Sequence, residues 1–282
     1  MGEAIKVLFI TQEITPFLPE SEIATICRYL PQAVQDRGNE IRAFMPKFAA
    51  INERRNQLHE VQRLSGMNII IDDTDHPLII KVASLQAARM QVYFIDNEDY
   101  FHRRHIAKDA DGIEYKDNGE RTIFFARGVL ETIKKLRWTP DIIHCHGWMT
   151  ALVPLYIKQA YADDPCFRDA KIVYSIYEDG FSIPFQERYD QILRLDGVKE
   201  EHLKSIQATP VDYVALTKLA VDFSDAVIQG SETLQAPLTE YIASKSKLPF
   251  LSYQTPETYT DAYIDLYHAL LQSVANRIIP FR

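Results

Sequence analysis

The chain has 282 residues, is 46% hydrophobic and carries a formal net charge of −8, enough apolar material to close the core of one large domain. The acidic balance excludes nucleic acid and anionic membrane as main partners, because both demand clustered Lys and Arg. The apolar runs are strand-sized, and the three cysteines, Cys27, Cys145 and Cys166, have no paired spacing and read as reduced thiols. Met1-Gly2-Glu3-Ala4 leads straight into a strand with no targeting pattern, so a cytoplasmic location is expected.

Lys6-Val7-Leu8-Phe9-Ile10 predicts a strand over 6–12 buried on both faces. A helix follows over 23–37, since Ile23, Ile26, Cys27, Leu30, Ala33 and Val34 recur at helical spacing and Arg37-Gly38 closes it. With a second strand over 40–45 this forms one right-handed βαβ unit. The loop between first strand and first helix reads Pro19-Glu20-Ser21-Glu22. A strand running into a helix N-terminus is a natural anion site. Here Pro19 donates no hydrogen bond and Glu20 and Glu22 repel phosphate, so phosphate binding is not expected.

Short β-like runs over 67–71, 78–84 and 90–95 predict an antiparallel excursion on the sheet edge. Asp72-Asp73-Thr74-Asp75 reads as a solvated turn, because it lacks the spaced ligands and closing glutamate of a calcium loop. Alternation then returns: a helix over 118–135 with Asn118 as N-cap, a strand over 141–144, a helix over 150–160 and a strand over 171–175. Thr209-Pro210 is expected to start a helix over 211–223, and a strand over 226–229 follows. Ser231 is expected to cap the next helix, and Thr255-Pro256 to start a last one over 257–276 with Tyr259, Tyr263, Leu266, Leu270 and Val274 on one face.

This order predicts the α/β class, a doubly wound, mostly parallel Rossmann-like sheet with helices on both faces. Ligands in such sheets bind beyond the carboxyl ends of the strands, which directs attention to the loops after Gln12, His144, Ser175 and Gln229. His144 and His146 alternate at a strand end, but no third ligand stands near them, so no metal and no other cofactor is expected. Cys145 and His146 point to opposite faces of one strand and do not make a thiol nucleophile pair. Trp148 offers either packing at a helix start or stacking on a sugar.

These loops lie in stretches that resemble the N-terminal domain of the glycogen and starch synthases, the glucan synthases that use ADP-glucose. The resemblance covers about residues 5–243 and runs through Val7-Leu8-Phe9-Ile10-Thr11-Gln12-Glu13-Ile14-Thr15-Pro16-Phe17, Tyr93-Phe94-Ile95-Asp96-Asn97, Tyr115-Lys116-Asp117-Asn118-Gly119-Glu120-Arg121 and His144-Cys145-His146-Gly147-Trp148. It implies one half of a GT-B fold, made of two Rossmann-like domains around a cleft. Residues 1–246 would form the synthase-like domain, and 247–282 a linker and C-terminal helix returning onto it. The chain looks like a synthase with its second domain excised and its closing helix kept.

The departures fall on the reactive positions. Where the family reads Lys-Thr-Gly-Gly-Leu-Ala-Asp, this chain reads Pro19-Glu20-Ser21-Glu22-Ile23-Ala24-Thr25. In the family's His-Asp-Trp-His signature the aspartate is Gly147 and the second histidine is Met149, and the histidine of Thr-Ile-His-Asn is Tyr177. No catalytic residue is therefore assigned. Glu13, Tyr115, Asp117, Asn118, His144, His146, Trp148 and Tyr177 are expected to line the cleft. Losing several charge-stabilising groups at once favours a catalytically degenerate, regulatory or binding protein of α-glucan metabolism. Its expected partners are an α-glucan and either a full-length synthase or a second copy, met through the face that the second domain covers in the family. Two other readings stand beside it: a glucosyltransferase completed by a separately encoded donor domain, and a small-ligand binder on a reused scaffold.

Overall fold

The computed structural model describes residues 4–278 apart from 104, 208 and 209, with side chains described up to 272. In chain order the strands are β1 Lys6–Thr11, β2 Glu40–Pro46, β3 His59–Glu60, β4 Met67–Ile71, β5 Thr74–Leu85, β6 Met90–Asp96, β7 Ile142–His146, β8 Lys171–Ile176, β9 Ala226–Gln229 and β10 Phe250–Leu251. The helices are α1 Glu22–Asp36, α2 Glu98–Phe101, α3 Asn118–Leu136, α4 Leu152–Gln159, α5 Tyr189–Ile192, α6 Tyr213–Asp222, α7 Ala236–Ser244 and α8 Tyr259–Ile278.

The sheet runs β10-β9-β8-β7-β1-β2-β6-β5-β3, with β4 paired to β5. From β10 to β6 every pairing is parallel, whereas β5 lies antiparallel to β6, β3 and β4. This is the doubly wound sheet with its antiparallel edge. β1 is central because Val7, Leu8, Phe9 and Ile10 are wholly buried, and each such side chain stabilises the fold by about 1.5–3 kcal/mol. Asp72 and Asp73 take positive φ angles of 44° and 64° and join β4 to β5 through a two-residue turn, a conformation that Asp tolerates.

Several start signals are replaced by stronger local chemistry. Asn118 is not an N-cap: Asp117 occupies that position, and Asn118, already helical, donates to Ala107 O and accepts from Arg121. Its amide finds better partners in the buried loop than in the helix end. α6 is capped by Asp212, whose carboxylate accepts from Ala215 N at 2.8 Å, so the helix begins after Pro210; Thr209 lies outside the described residues. Ser231 does not cap α7, which starts at Ala236 with a proline in its first turn. The Ser231 hydroxyl instead donates to Glu22 and accepts from Glu178 N.

The last helix, α8, lies against α1. Tyr259, Tyr263, Tyr267 and Leu270 are buried on its inner face and Leu266 half-buried; Val274 lies outside the described side chains. Tyr267 reaches through to the sheet, where its hydroxyl meets His144 Nδ1 at 2.6 Å. The His144 Nε2 faces Ser175 Oγ at 2.7 Å, so one imidazole ties α8 to β7 and β8. Tyr267→Phe leaves a buried ring nitrogen unpaired, and a loss of about 1–2 kcal/mol is expected in urea denaturation. An unchanged midpoint would show that α8 is held by its apolar contacts alone.

Candidate functional site

β1 and β7 are neighbours, yet the chain leaves them toward opposite edges of the sheet. The crevice beyond their carboxyl ends is the switch point at which such folds bind ligands. Loops after β1, β7, β8 and β9 converge there.

The loop after β1 fills its own anion site. Ser21 caps α1 by accepting from Ala24 N at 3.0 Å, and its hydroxyl donates to Glu13 Oε2 at 2.6 Å. Gln12 Nε2 donates to the other Glu13 oxygen at 3.2 Å. A helix N-terminus that already holds a serine oxygen, with the carboxylates of Glu13 and Glu22 beside it, has no vacancy for phosphate. Pro19 and Glu20 are exposed on the rim, and exposed Thr25 lines a separate groove with Tyr253 and Tyr259.

Gly147 follows β7 with φ 83° and ψ 164°. A Cβ there would stand 2.5 Å from Gln12 Oε1 and 2.9 Å from Asp179 Oδ2. The space is taken because Gln12 Oε1 accepts from Met149 N at 3.3 Å and Asp179 Oδ2 from Trp148 N at 3.1 Å. Met149 is fully buried. Burial pushes the Asp179 carboxyl up to about 7, opposed by the Trp148 N–H and reinforced by the charge of Glu13.

His144 and His146 lie beneath this floor, wholly buried, with ring centroids 3.8 Å apart. Burial lowers both: His146 falls to about 3, and His144, which also feels His146, falls well below its ordinary range. Both are neutral at pH 7. Tyr177, buried as well, sets its hydroxyl 2.8 Å from His146 Nδ1, while His146 Nε2 has no hydrogen-bond partner. Gly230 leaves room for the Tyr177 ring, since a Cβ there would come within 2.5 Å of it.

The open part of the crevice is a cavity of about 450 Å³ lined by Glu13, Lys108, Glu114, Trp148, Asp179 and Phe181, among others. Of the residues singled out in the sequence, Glu13, Pro19 and Trp148 border it. His144, His146 and Tyr177 lie under it. Tyr115, Asp117 and Asn118 stand behind its wall, where Arg103 pairs with Asp117 and Arg121 lies over the Tyr115 ring. Trp148 packs on Phe181 with centroids 5.0 Å apart and ring planes inclined by 61°. Asp179 and Glu114 escaped the sequence reading. Glu114 lies just before the segment that begins at Tyr115, and its carboxylate is fixed by Ser182 N and Ile183 N at 2.9 and 2.6 Å. Asp179 follows Tyr177 so closely that its strand-end position was the available signal. Among the described residues no group of three or more His, Cys, Asp or Glu could hold a metal, and no helix is long and apolar enough to cross a membrane.

Residues 6–245 match the family described as starch synthase catalytic domain. The glycogen synthase of Chlorobium limicola is 41% identical over 185 residues, 64% of this chain and 38% of that protein. That of Chlorobium phaeobacteroides is 37% identical over 238 residues, 81% of this chain and 48% of that protein. The chain thus spans about half the length of these curated relatives, or less. Among solved structures, the catalytic domain of starch synthase IV from Arabidopsis thaliana, bound to ADP and acarbose, aligns with a TM-score of 0.72 and 20% identity, over 90% of this chain and 52% of that one. At that identity the likeness concerns the fold.

Proposed function

The chain belongs to the starch synthase catalytic domain family, and from that premise we propose that it is a catalytically degenerate member whose crevice binds α-glucan and serves as a binding or regulatory subunit of glucan synthesis. One observation carries the reading. Around the positions where the family keeps its phosphate-facing and acid–base groups, polar side chains are taken up by local hydrogen bonds: Ser21 to Glu13 and Tyr177 to His146 between side chains, Gln12 to Met149 N and Asp179 to Trp148 N from backbone to side chain. Diphosphate departure needs positive charge where negative charge develops, and losing one such donor costs about 3 kcal/mol of transition-state stabilisation. The loop from β1 into α1 carries Glu13, Glu20 and Glu22 and neither Lys nor Arg.

The open crevice suits a neutral polyol. Glu13 and Asp179 offer acceptors for hydroxyl groups, and Phe181 and Trp148 supply an apolar wall. Calorimetry should register binding of maltoheptaose and no binding of ADP-glucose. At pH 8, where Asp179 is ionised, Asp179→Ala is expected to weaken maltoheptaose binding by about tenfold, as befits a charge-assisted hydrogen bond. Glucose transfer from ADP-glucose by the purified chain would overturn the reading. Transfer that appears only after a donor domain is added would favour the two-component glucosyltransferase instead.

A further inference from the structure

One carboxylate joins two walls of the crevice. Residues 107–115 form the first wall as a tight hairpin, in which Lys108 and Glu114 pair across the mouth, Asp109 N donates to Ile113 O at 2.8 Å and Tyr115 N donates to Ala107 O at 3.0 Å. The hairpin is tied down at its base, since Ala107 O also accepts from Asn118 Nδ2 at 2.9 Å and Ile106 O accepts from Arg121 Nη1 at 2.6 Å. Glu114 is thereby presented from a fixed place.

The second wall is the loop after β8, which carries Phe181. Its ends are anchored elsewhere: Asp179 Oδ2 accepts from Trp148 N at 3.1 Å, and Phe185 N donates to Val211 O at 2.9 Å. Between those anchors, the hydrogen bonds that residues 180–184 make among the described residues all run to the Glu114 carboxylate. Ser182 N donates to both of its oxygens, at 2.9 and 3.0 Å, and Ile183 N donates to Oε2 at 2.6 Å. Lys108 Nζ stands 3.6 Å from Oε1. A carboxylate so occupied has little left to offer a ligand, and what it does is done to the loop. Phe181 packs on Trp148 and stacks on Phe185 with centroids 4.4 Å apart, but apolar contact is non-directional. Charge-assisted bonds from two successive N–H groups fix where the backbone beside Phe181 stands.

We propose that Glu114 is a positioning residue of the crevice: it latches the loop after β8 to the 107–115 hairpin and so preforms the Phe181 wall against which a ligand packs. The identity of that ligand rests on the glucan reading above, whereas the latch rests on the hydrogen bonds alone. A wall that is already in place need not be ordered on binding, and the saving appears as affinity.

Amide hydrogen exchange and calorimetry with maltoheptaose, both on the whole chain, test the two parts separately. In wild type the Ser182 and Ile183 amides should exchange slowly although both residues are exposed. Glu114→Ala should speed their exchange by about tenfold or more while the amides of β7 and β8 keep their protection, and should weaken maltoheptaose by about tenfold. Glu114→Gln keeps the volume and one acceptor oxygen, so it should fall between the two; if Glu114→Ala loosens β7 and β8 as well, Glu114→Gln carries the comparison. Unchanged exchange at Ser182 and Ile183 overturns the latch. Faster exchange there with unchanged maltoheptaose affinity overturns the positioning role. A wild-type chain that binds no maltoheptaose removes the glucan reading and the positioning role with it, while the exchange still decides the latch.

Discussion

Restoring the family's carboxylate at the end of β7, by Gly147→Asp, should destabilise the chain by about 4 kcal/mol and confer no transferase activity. The conformation at Gly147, φ 83° with ψ 164°, is one that residues with a Cβ hold only under strain of about 1–3 kcal/mol. The new Cβ also meets Gln12 Oε1 at 2.5 Å and Asp179 Oδ2 at 2.9 Å. Those atoms accept from Met149 N and Trp148 N, so they can yield only by leaving backbone donors unpaired. Overpacking of this kind costs about 1–3 kcal/mol more. A carboxylate added beside Asp179 and Glu13 then brings like-charge repulsion.

Urea denaturation at pH 8 measures the effect as a lower midpoint with an unchanged slope. Gly147→Ala should carry the strain and part of the clash, and so fall between wild type and Gly147→Asp. Native stability in Gly147→Asp would mean that the loop readily adopts another path, and the crevice would then be less settled than its hydrogen bonds imply.

The alternation of strands and helices was legible because buried parallel strands leave dense apolar runs, such as Val7 to Ile10, between helices with one apolar face. Helix starts were less so. Asn118, Thr209 and Ser231 all have cap chemistry, but a cap is selected by which nearby side chain reaches the free N–H groups, and Asp212 reached those of α6. Ser231 found a partner in Glu22, far away in the chain. The same limit applies to the crevice. The replacements at Pro19, Thr25, Gly147, Met149 and Tyr177 could be read residue by residue. That Gln12 and Asp179 occupy the space beside Gly147 is a three-dimensional fact with no local pattern. His144 and His146, expected to line the cleft, lie wholly buried beneath it, because strand ends under an adjacent helix are interior.

Acid should weaken the fold from about pH 6.5 downward, with a slope set by opposing groups at one site. His144 and His146 titrate well below their ordinary value of 6.5 in the folded chain. Below 6.5 the unfolded chain therefore takes up two protons that the native state refuses. Stability rises with pH across that window and is lost as pH falls, by about 2.7 kcal/mol per unit for two protons. Asp179 acts with the opposite sign. Its folded value of about 7 lies above the ordinary 3.8, so between those limits the native state holds a proton that the unfolded state has released. This subtracts about 1.4 kcal/mol per unit at most, and less because Asp179 keeps some surface open to the crevice. Glu53, lowered by Lys47 and Lys81 against the burial that raises it, contributes only below its ordinary 4.5. From pH 6.5 to 4.5 wild type should then lose about 1.4–2.7 kcal/mol per unit, and Asp179→Asn should steepen the loss toward the two-proton limit. Above pH 7 the same variant should be more stable than wild type, since it no longer ionises a carboxyl against burial. Urea midpoints taken in half-unit steps of pH measure both slopes. Parallel curves for the two proteins would remove Asp179 from the balance, and a wild-type curve that is flat below 6.5 would mean that the paired imidazoles accept protons without unfolding.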